Sequence, residues 1–83
     1  MTDIKLLLVE DDESLAFMEK NTLKDIVGGY EIVTASNGKD GIKAWESFKP
    51  DVIISDIDMP IMNGIDMVKY IRELDGDTII MFT

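Results

Sequence analysis

Asp56 stands at the end of a short apolar run, Val52, Ile53 and Ile54, and the chain breaks soon after at Met59-Pro60. Such a run, bounded by turn residues, reads as a buried strand of a parallel sheet. Ligands of open α/β sheets bind at the carboxyl ends of the strands, so Asp56 is carried out of the core to a rim where a carboxylate can react. A second acidic cluster, Glu10, Asp11, Asp12 and Glu13, follows directly on the apolar run Ile4–Val9. With the two runs as neighbouring parallel strands, Glu10, Asp11 and Asp56 converge at one edge. Carboxylates that close raise one another's pKa unless a cation sits among them. Hard oxygen donors at a strand edge suit Mg²⁺, which keeps several waters and takes one or two carboxylates plus a phosphate. An acidic pocket of this kind is poised to accept a phosphoryl group on a carboxylate, giving an aspartyl phosphate.

The elements that must hold these acids follow from the pattern of apolar residues and turn signals. Strands are predicted near Ile4–Val9, Tyr30–Thr34, Asp51–Ser55 and Thr78–Phe82. A first helix is predicted over Ser14–Ile26, with Leu15, Met18, Thr22 and Ile26 at helical spacing, Asp12 or Glu13 at its positive end and Gly28-Gly29 closing it. A second follows Asn37, a natural N-cap with Asp40 three residues on, and lays Ile42, Trp45 and Phe48 against the core before Pro50. A third follows Asn63-Gly64, with Ile65, Val68, Ile71 and Leu74 turned inward, Gly64 serving a tight turn and Gly76 near the end. The methionines, six in all, read as core gap fillers. Alternating strands and helices predict an α/β fold, a doubly wound, flavodoxin-like parallel sheet beginning 2-1-3-4.

A chain of 83 residues supports one small domain. With 46% apolar and 30% charged residues it has the composition of an ordinary globular protein, and its lack of cysteine excludes disulfides and thiol chemistry. No apolar run reaches the roughly 20 residues of a membrane span, and no signal-like stretch opens the chain, so a cytoplasmic location is expected. A net charge of −9 argues against direct binding to nucleic acid, whose hold comes from Lys and Arg on phosphates.

The segments Val9 to Asp12, Asp51 to Gly64 (DVIISDIDMPIMNG) and Ile79 to Thr83 (IIMFT) together resemble the receiver domain of two-component response regulators. The resemblance spans the whole chain. It implies that Asp56 is the phosphoacceptor and that Glu10 and Asp11 form the acidic pair, with Asp11 the more direct Mg²⁺ ligand. It further implies a metal contact from the backbone carbonyl of Asp58, and in Thr83 the hydroxyl that turns toward the phosphoryl group. A histidine kinase or phosphotransfer protein is the implied partner. The receiver itself is expected to assist its own phosphorylation rather than to turn over a substrate as an enzyme.

The family pattern continues beyond a fourth strand with a helix, a fifth strand and a closing helix, and carries a lysine after that fifth strand. Residues 1–83 are therefore expected to be the N-terminal portion of a receiver, without an effector domain. The fourth strand is expected to be an open edge through which the chain self-associates, with apolar side chains of the first, third and fourth strands facing water.

Two other readings stand beside this one. A receiver fragment that takes no phosphoryl group would be a passive binding or assembly module. Asp56-Ile57-Asp58 is also similar to the nucleophile and acid pair of haloacid dehalogenase-like phosphatases, although Pro60 departs from that motif and the family places it on its opening strand. A calcium loop is excluded, since Pro60 replaces a ligand and no glycine holds the sixth place.

Overall fold

The computed structural model describes residues 4–26 and 30–83. Four strands, β1 (Ile4–Val9), β2 (Tyr30–Ala35), β3 (Val52–Ser55) and β4 (Ile79–Phe82), alternate with three helices, α1 (Glu13–Ile26), α2 (Gly38–Phe48) and α3 (Gly64–Leu74). The strands pair in parallel in the order β2-β1-β3-β4, the flavodoxin-like arrangement that the alternation of elements predicts. Element limits differ from the sequence reading by a residue at strand and helix ends, within the range over which such ends fray. The predicted stop of α1 at Gly28-Gly29 and the inward turn of Ile26 lie outside what is described.

The sheet has an apolar layer on each face because its strands alternate side chains across the pleat. Leu7, Val9 and Ile53 meet Ile42 of α2 and Met67 and Ile71 of α3 on one face. Leu6, Leu8 and Ile32 meet Ala16 of α1 on the other. Every residue of β1 from Leu6 to Val9 is buried, as befits a strand covered on both sides. Each such Leu or Ile contributes roughly 1.5–3 kcal/mol relative to exposure.

Local chemistry sets the helix ends. Asn37 and Asn63 cap α2 and α3, their side-chain carbonyls accepting from Asp40 N and Asp66 N at 2.8 Å each. Lys49, in the left-handed region at φ 52°, ends α2 with its N–H on the Trp45 carbonyl, ahead of Pro50. Below the sheet, Lys5 N donates to the Asp51 carboxylate, and the Lys5 ammonium sits over the Phe48 ring at 5.3 Å. Between α3 and β4 the Thr78 hydroxyl and the Asp77 amide donate to Asp75, holding its carboxyl below the usual range.

Several packing expectations are corrected. The stripe Leu15, Met18 and Thr22 does not enter the core: α1 lies over β1 and β2, and it packs through Ala16 and Leu23. Leu15, Met18 and Thr22 instead line a groove of about 340 Å³ beside Ile54 and Thr83, and Met18 is 62% exposed. In α3 the inward line is Gly64, Met67 and Ile71, with Val68 at its border, while Ile65 and Leu74 face solvent. Two apolar stripes share Ile71, and the close approach of Gly64 to the end of β3 decides which one turns in. Trp45 and Phe48 are half-buried beside a buried Ile42; Trp45 meets Tyr70 edge-on, with ring centres 6.5 Å apart. Of the methionines, Met67 fills the core and Met59 and Met62 pack against it, but Met18 and Met81 are exposed. The sheet face under α1 is also better covered than expected: Leu6 and Leu8 are buried and Ile54 is half-buried, while Ile4 of β1 and Ile79 and Met81 of β4 are exposed.

Candidate phosphoryl and metal site

The pairing of β1 with β3 sets Val9 opposite Ser55, so the next residue on each strand, Glu10 and Asp56, leaves the sheet at the same level. Asp56 N donates to the Val9 carbonyl at 3.1 Å and Glu10 N to the Ala35 carbonyl at 2.9 Å, extending the ladder by one step on each side. The chain reverses order here, with β2 on one side of β1 and β3 on the other, which is the switch point where open sheets bind ligands.

Glu10, Asp11 and Asp56 come together: each offers a carboxylate oxygen within 4.8 Å of the others. Glu10 is 5% exposed, Asp56 half-buried and Asp11 exposed, so the group is sealed at its base and open at its rim. Burial first, then a carboxyl–carboxylate hydrogen bond with Asp56, push Glu10 up from 4.5 to about 7. Oxygen donors of this charge and spacing fit a hard divalent cation, and the cost of assembling them without one is visible in Glu10.

The neighbouring acids have separate tasks. Asp12 caps α1, its carboxylate accepting from Leu15 N at 3.0 Å, and its own N–H donates to Glu10 at 3.1 Å. Glu13 opens α1 and, with Phe17, Lys20 and Asp40, lines a cavity of about 460 Å³ beside Glu10. Thr83 lies immediately after β4; its N–H donates to the Ser55 carbonyl at 3.0 Å and its hydroxyl to Asp56 Oδ1 at 2.5 Å. The Asp58 side chain is exposed and stands outside the acidic group.

The loop from β3 to α3 is tightly tied. Gly64 N donates to the Ile57 carbonyl at 2.8 Å, and a Cβ at Gly64 would collide with the Asp56 carbonyl oxygen. This close approach, rather than the turn conformation expected from sequence, is why the position takes glycine. Pro60 O accepts from Met62 N at 2.7 Å across Ile61, which is held at φ 69°, and Gly38 N reaches over from α2 to the Met62 carbonyl at 2.8 Å. Two contributors escaped the sequence reading. Ser55 is a fully buried hydroxyl beside the acids, signalled only by a polar residue closing the otherwise aliphatic VIIS strand. The tie from Gly38 to Met62 joins elements far apart in sequence and carries no local signal.

A doubly wound sheet with an acidic triad at its switch point defines a flavodoxin-like α/β protein that gathers three carboxylates at that edge. Residues 6–83 match the family described as response regulator receiver domain, and the chain belongs to that family. It is 43% identical over 74 residues to the chemotaxis protein CheY of Thermotoga maritima, covering 86% of this chain and 59% of that protein. It is 36% identical over 69 residues to the alkaline phosphatase synthesis transcriptional regulatory protein PhoP of Bacillus subtilis, covering 83% of this chain and 28% of that protein. Among solved structures, the chemotaxis response regulator CheY4 of Vibrio cholerae superposes with a TM-score of 0.85 at 37% identity, over 98% of this chain and 68% of that one. The signal receiver domain of a putative LuxO repressor protein from Vibrio parahaemolyticus gives 0.88 at 36% identity, over 96% and 60%. The chain thus spans about three fifths or less of the curated relatives it matches. Membership of the receiver family replaces the dehalogenase-like alternative. Among the described residues no helix is long and apolar enough to cross a membrane.

Proposed function

We propose that this chain is the phosphoryl-accepting part of a two-component signalling receiver, with Asp56 as the acceptor. The observation that carries the reading is the convergence of Glu10, Asp11 and Asp56 within 4.8 Å, with the Thr83 hydroxyl on Asp56. A phosphohistidine of a histidine kinase or phosphotransfer protein, or a small acyl phosphate, is the donor. An Asp56 carboxylate oxygen attacks phosphorus in line, the bond from phosphorus to the leaving group breaks, and the leaving nitrogen or oxygen keeps the electron pair. Asp11, Asp56 and the Asp58 carbonyl, with Glu10 beside them, would hold Mg²⁺, which would supply the positive charge that phosphoryl transfer needs. Asp56 is offered to the donor by a strand end that cannot slide, because its backbone is bonded to Val9. Thr83, which holds an Asp56 oxygen through its hydroxyl, exchanges that contact for a phosphoryl oxygen and so carries the change of state to β4. The step takes place in the cytoplasm, and its consequence is altered affinity for a protein partner rather than contact with nucleic acid.

The test is chemical. Incubated with Mg²⁺ and a small acyl phosphate, the chain is expected to take up one phosphoryl group that is stable in acid and labile in base. Asp56→Asn is expected to abolish labelling and keep the fold; labelling that persists in this variant moves the acceptor elsewhere. A folded wild-type chain that binds Mg²⁺ without being labelled would be a partner-binding module instead.

A further inference from the structure

Ser55 closes β3 with its side chain fully buried, on the same face of the sheet as Ile53 and the layer under α2 and α3. A hydroxyl in that layer costs stability unless it is hydrogen-bonded, and an aliphatic residue would satisfy packing alone. Its Oγ donates to the carbonyl of Asp56 at 2.7 Å. This is the same carbonyl against which Gly64 packs so closely that no Cβ fits, while Gly64 N is bonded one residue on, to Ile57. On its other side, the Ser55 carbonyl accepts from Thr83 N. Ser55 therefore stands where the acceptor peptide, the first turn of α3 and the residue after β4 are joined.

We propose that Ser55 is a positioning residue for the chemistry at Asp56. By holding the Asp56 carbonyl toward β3, its hydroxyl fixes the plane of the peptide between Asp56 and Ile57. That plane sets the course of the backbone through Ile57 toward Asp58, and with it where the Asp58 carbonyl lies relative to the acceptor carboxylate. With the bond removed, Asp56 keeps its strand pairing through Val9 but its peptide is free to tilt, so the oxygen donors spread. The inference rests on the receiver reading of the acidic group.

The experiment is a calorimetric Mg²⁺ titration of the 83-residue chain as wild type, Ser55→Ala and Ser55→Thr, with acyl phosphate labelling followed across Mg²⁺ concentrations. Ser55→Ala is expected to weaken Mg²⁺ binding about fivefold, the worth of one neutral hydrogen bond. Its labelling is expected to be slow at low Mg²⁺ and to recover at saturating Mg²⁺, and Ser55→Thr to restore wild-type affinity. Should Ser55→Ala lack a cooperative thermal transition, Ser55→Cys, which replaces the hydroxyl with a somewhat larger thiol that is only a weak donor, is expected to show the same shift. A lowered melting temperature with unchanged Mg²⁺ affinity would mean a packing role and overturn the proposal. Wild-type chain that fails to bind Mg²⁺ would overturn the receiver reading of the site, and this inference with it; wild-type binding matched by the variant overturns this inference alone.

Discussion

Glu10 and Asp56 leave adjacent strands at the same level, and the pair has a pH signature that can be read without any phosphoryl donor. Glu10 is raised from an ordinary 4.5 to about 7 by burial and by Asp56, so the folded chain holds a proton that the unfolded chain has released. The preference for the folded state is complete below pH 4.5 and is lost as pH rises through about 7. The cation-free chain is therefore expected to melt lower at pH 8 than at pH 5.5, with Mg²⁺ recovering the difference at pH 8. Glu10→Gln should flatten that slope and stabilise the cation-free chain at pH 8 on the order of 1–2 kcal/mol. Thermal melts of both proteins across this range decide the matter, and an unaltered slope in the variant would remove Glu10 as its source. These acids were legible in the sequence because a carboxylate directly after an apolar run has no place in a core. Ser55 was not, since a serine at a strand end is as easily a turn residue; only its full burial and its bond to Asp56 separate the two.

The loop between β3 and α3 shows what the sequence conveys at the level of elements and what it withholds. Its existence follows from Met59-Pro60 and Asn63-Gly64, but its shape depends on contacts with distant segments. Gly64→Ala puts a methyl against the Asp56 carbonyl and is expected to cost about 1–3 kcal/mol, the usual penalty for overpacking. The same substitution should weaken Mg²⁺ binding, because the peptide that moves is that of the acceptor. Ile61 is the opposite case. It is a β-branched residue at φ 69° with 78% of its surface in water, so it bears backbone strain and gains little from burial. Ile61→Asn, a residue that tolerates this region, is expected to raise stability by about 1 kcal/mol in denaturant titrations. A loss of stability would show that Ile61 makes up its strain through contacts. Helix rotation follows the same logic. Apolar spacing located α1 and α3 but turned the wrong stripe of each inward; the path of α1 over β1 and β2, and the approach of Gly64, set which side meets the core.

At the scale of the molecule, strand order and parallel pairing were legible because alternating elements leave few ways to cover a sheet on both faces. The distribution of exposed apolar surface was not, since it depends on where each helix sits. In this structure part of that surface lines the groove of Leu15 and Met18 beside Ile54 and Thr83 and lies on Ile79 and Met81 of β4, while Phe17, Ile61 and Leu74 are exposed singly elsewhere. The 83-residue polypeptide is accordingly expected to associate through this side at high concentration, and substitution of Met81 by Lys should reduce the associated fraction in light scattering. A strictly monomeric wild-type chain over the same range would refute that expectation. Charge works against association over most of the remaining surface, given a net −9.

The bond from Gly38 N to the Met62 carbonyl links the start of α2 to the loop that follows the acceptor. There is no slack in the joint: a Cβ at Gly38 would already press on Met62 and Asn63. Whatever displaces the loop must either drag the first turn of α2 with it or break this bond. The Gly38 amide is thus a natural gauge of site occupancy, and its proton exchange rate reports events at Asp56 from a different helix, with no label introduced.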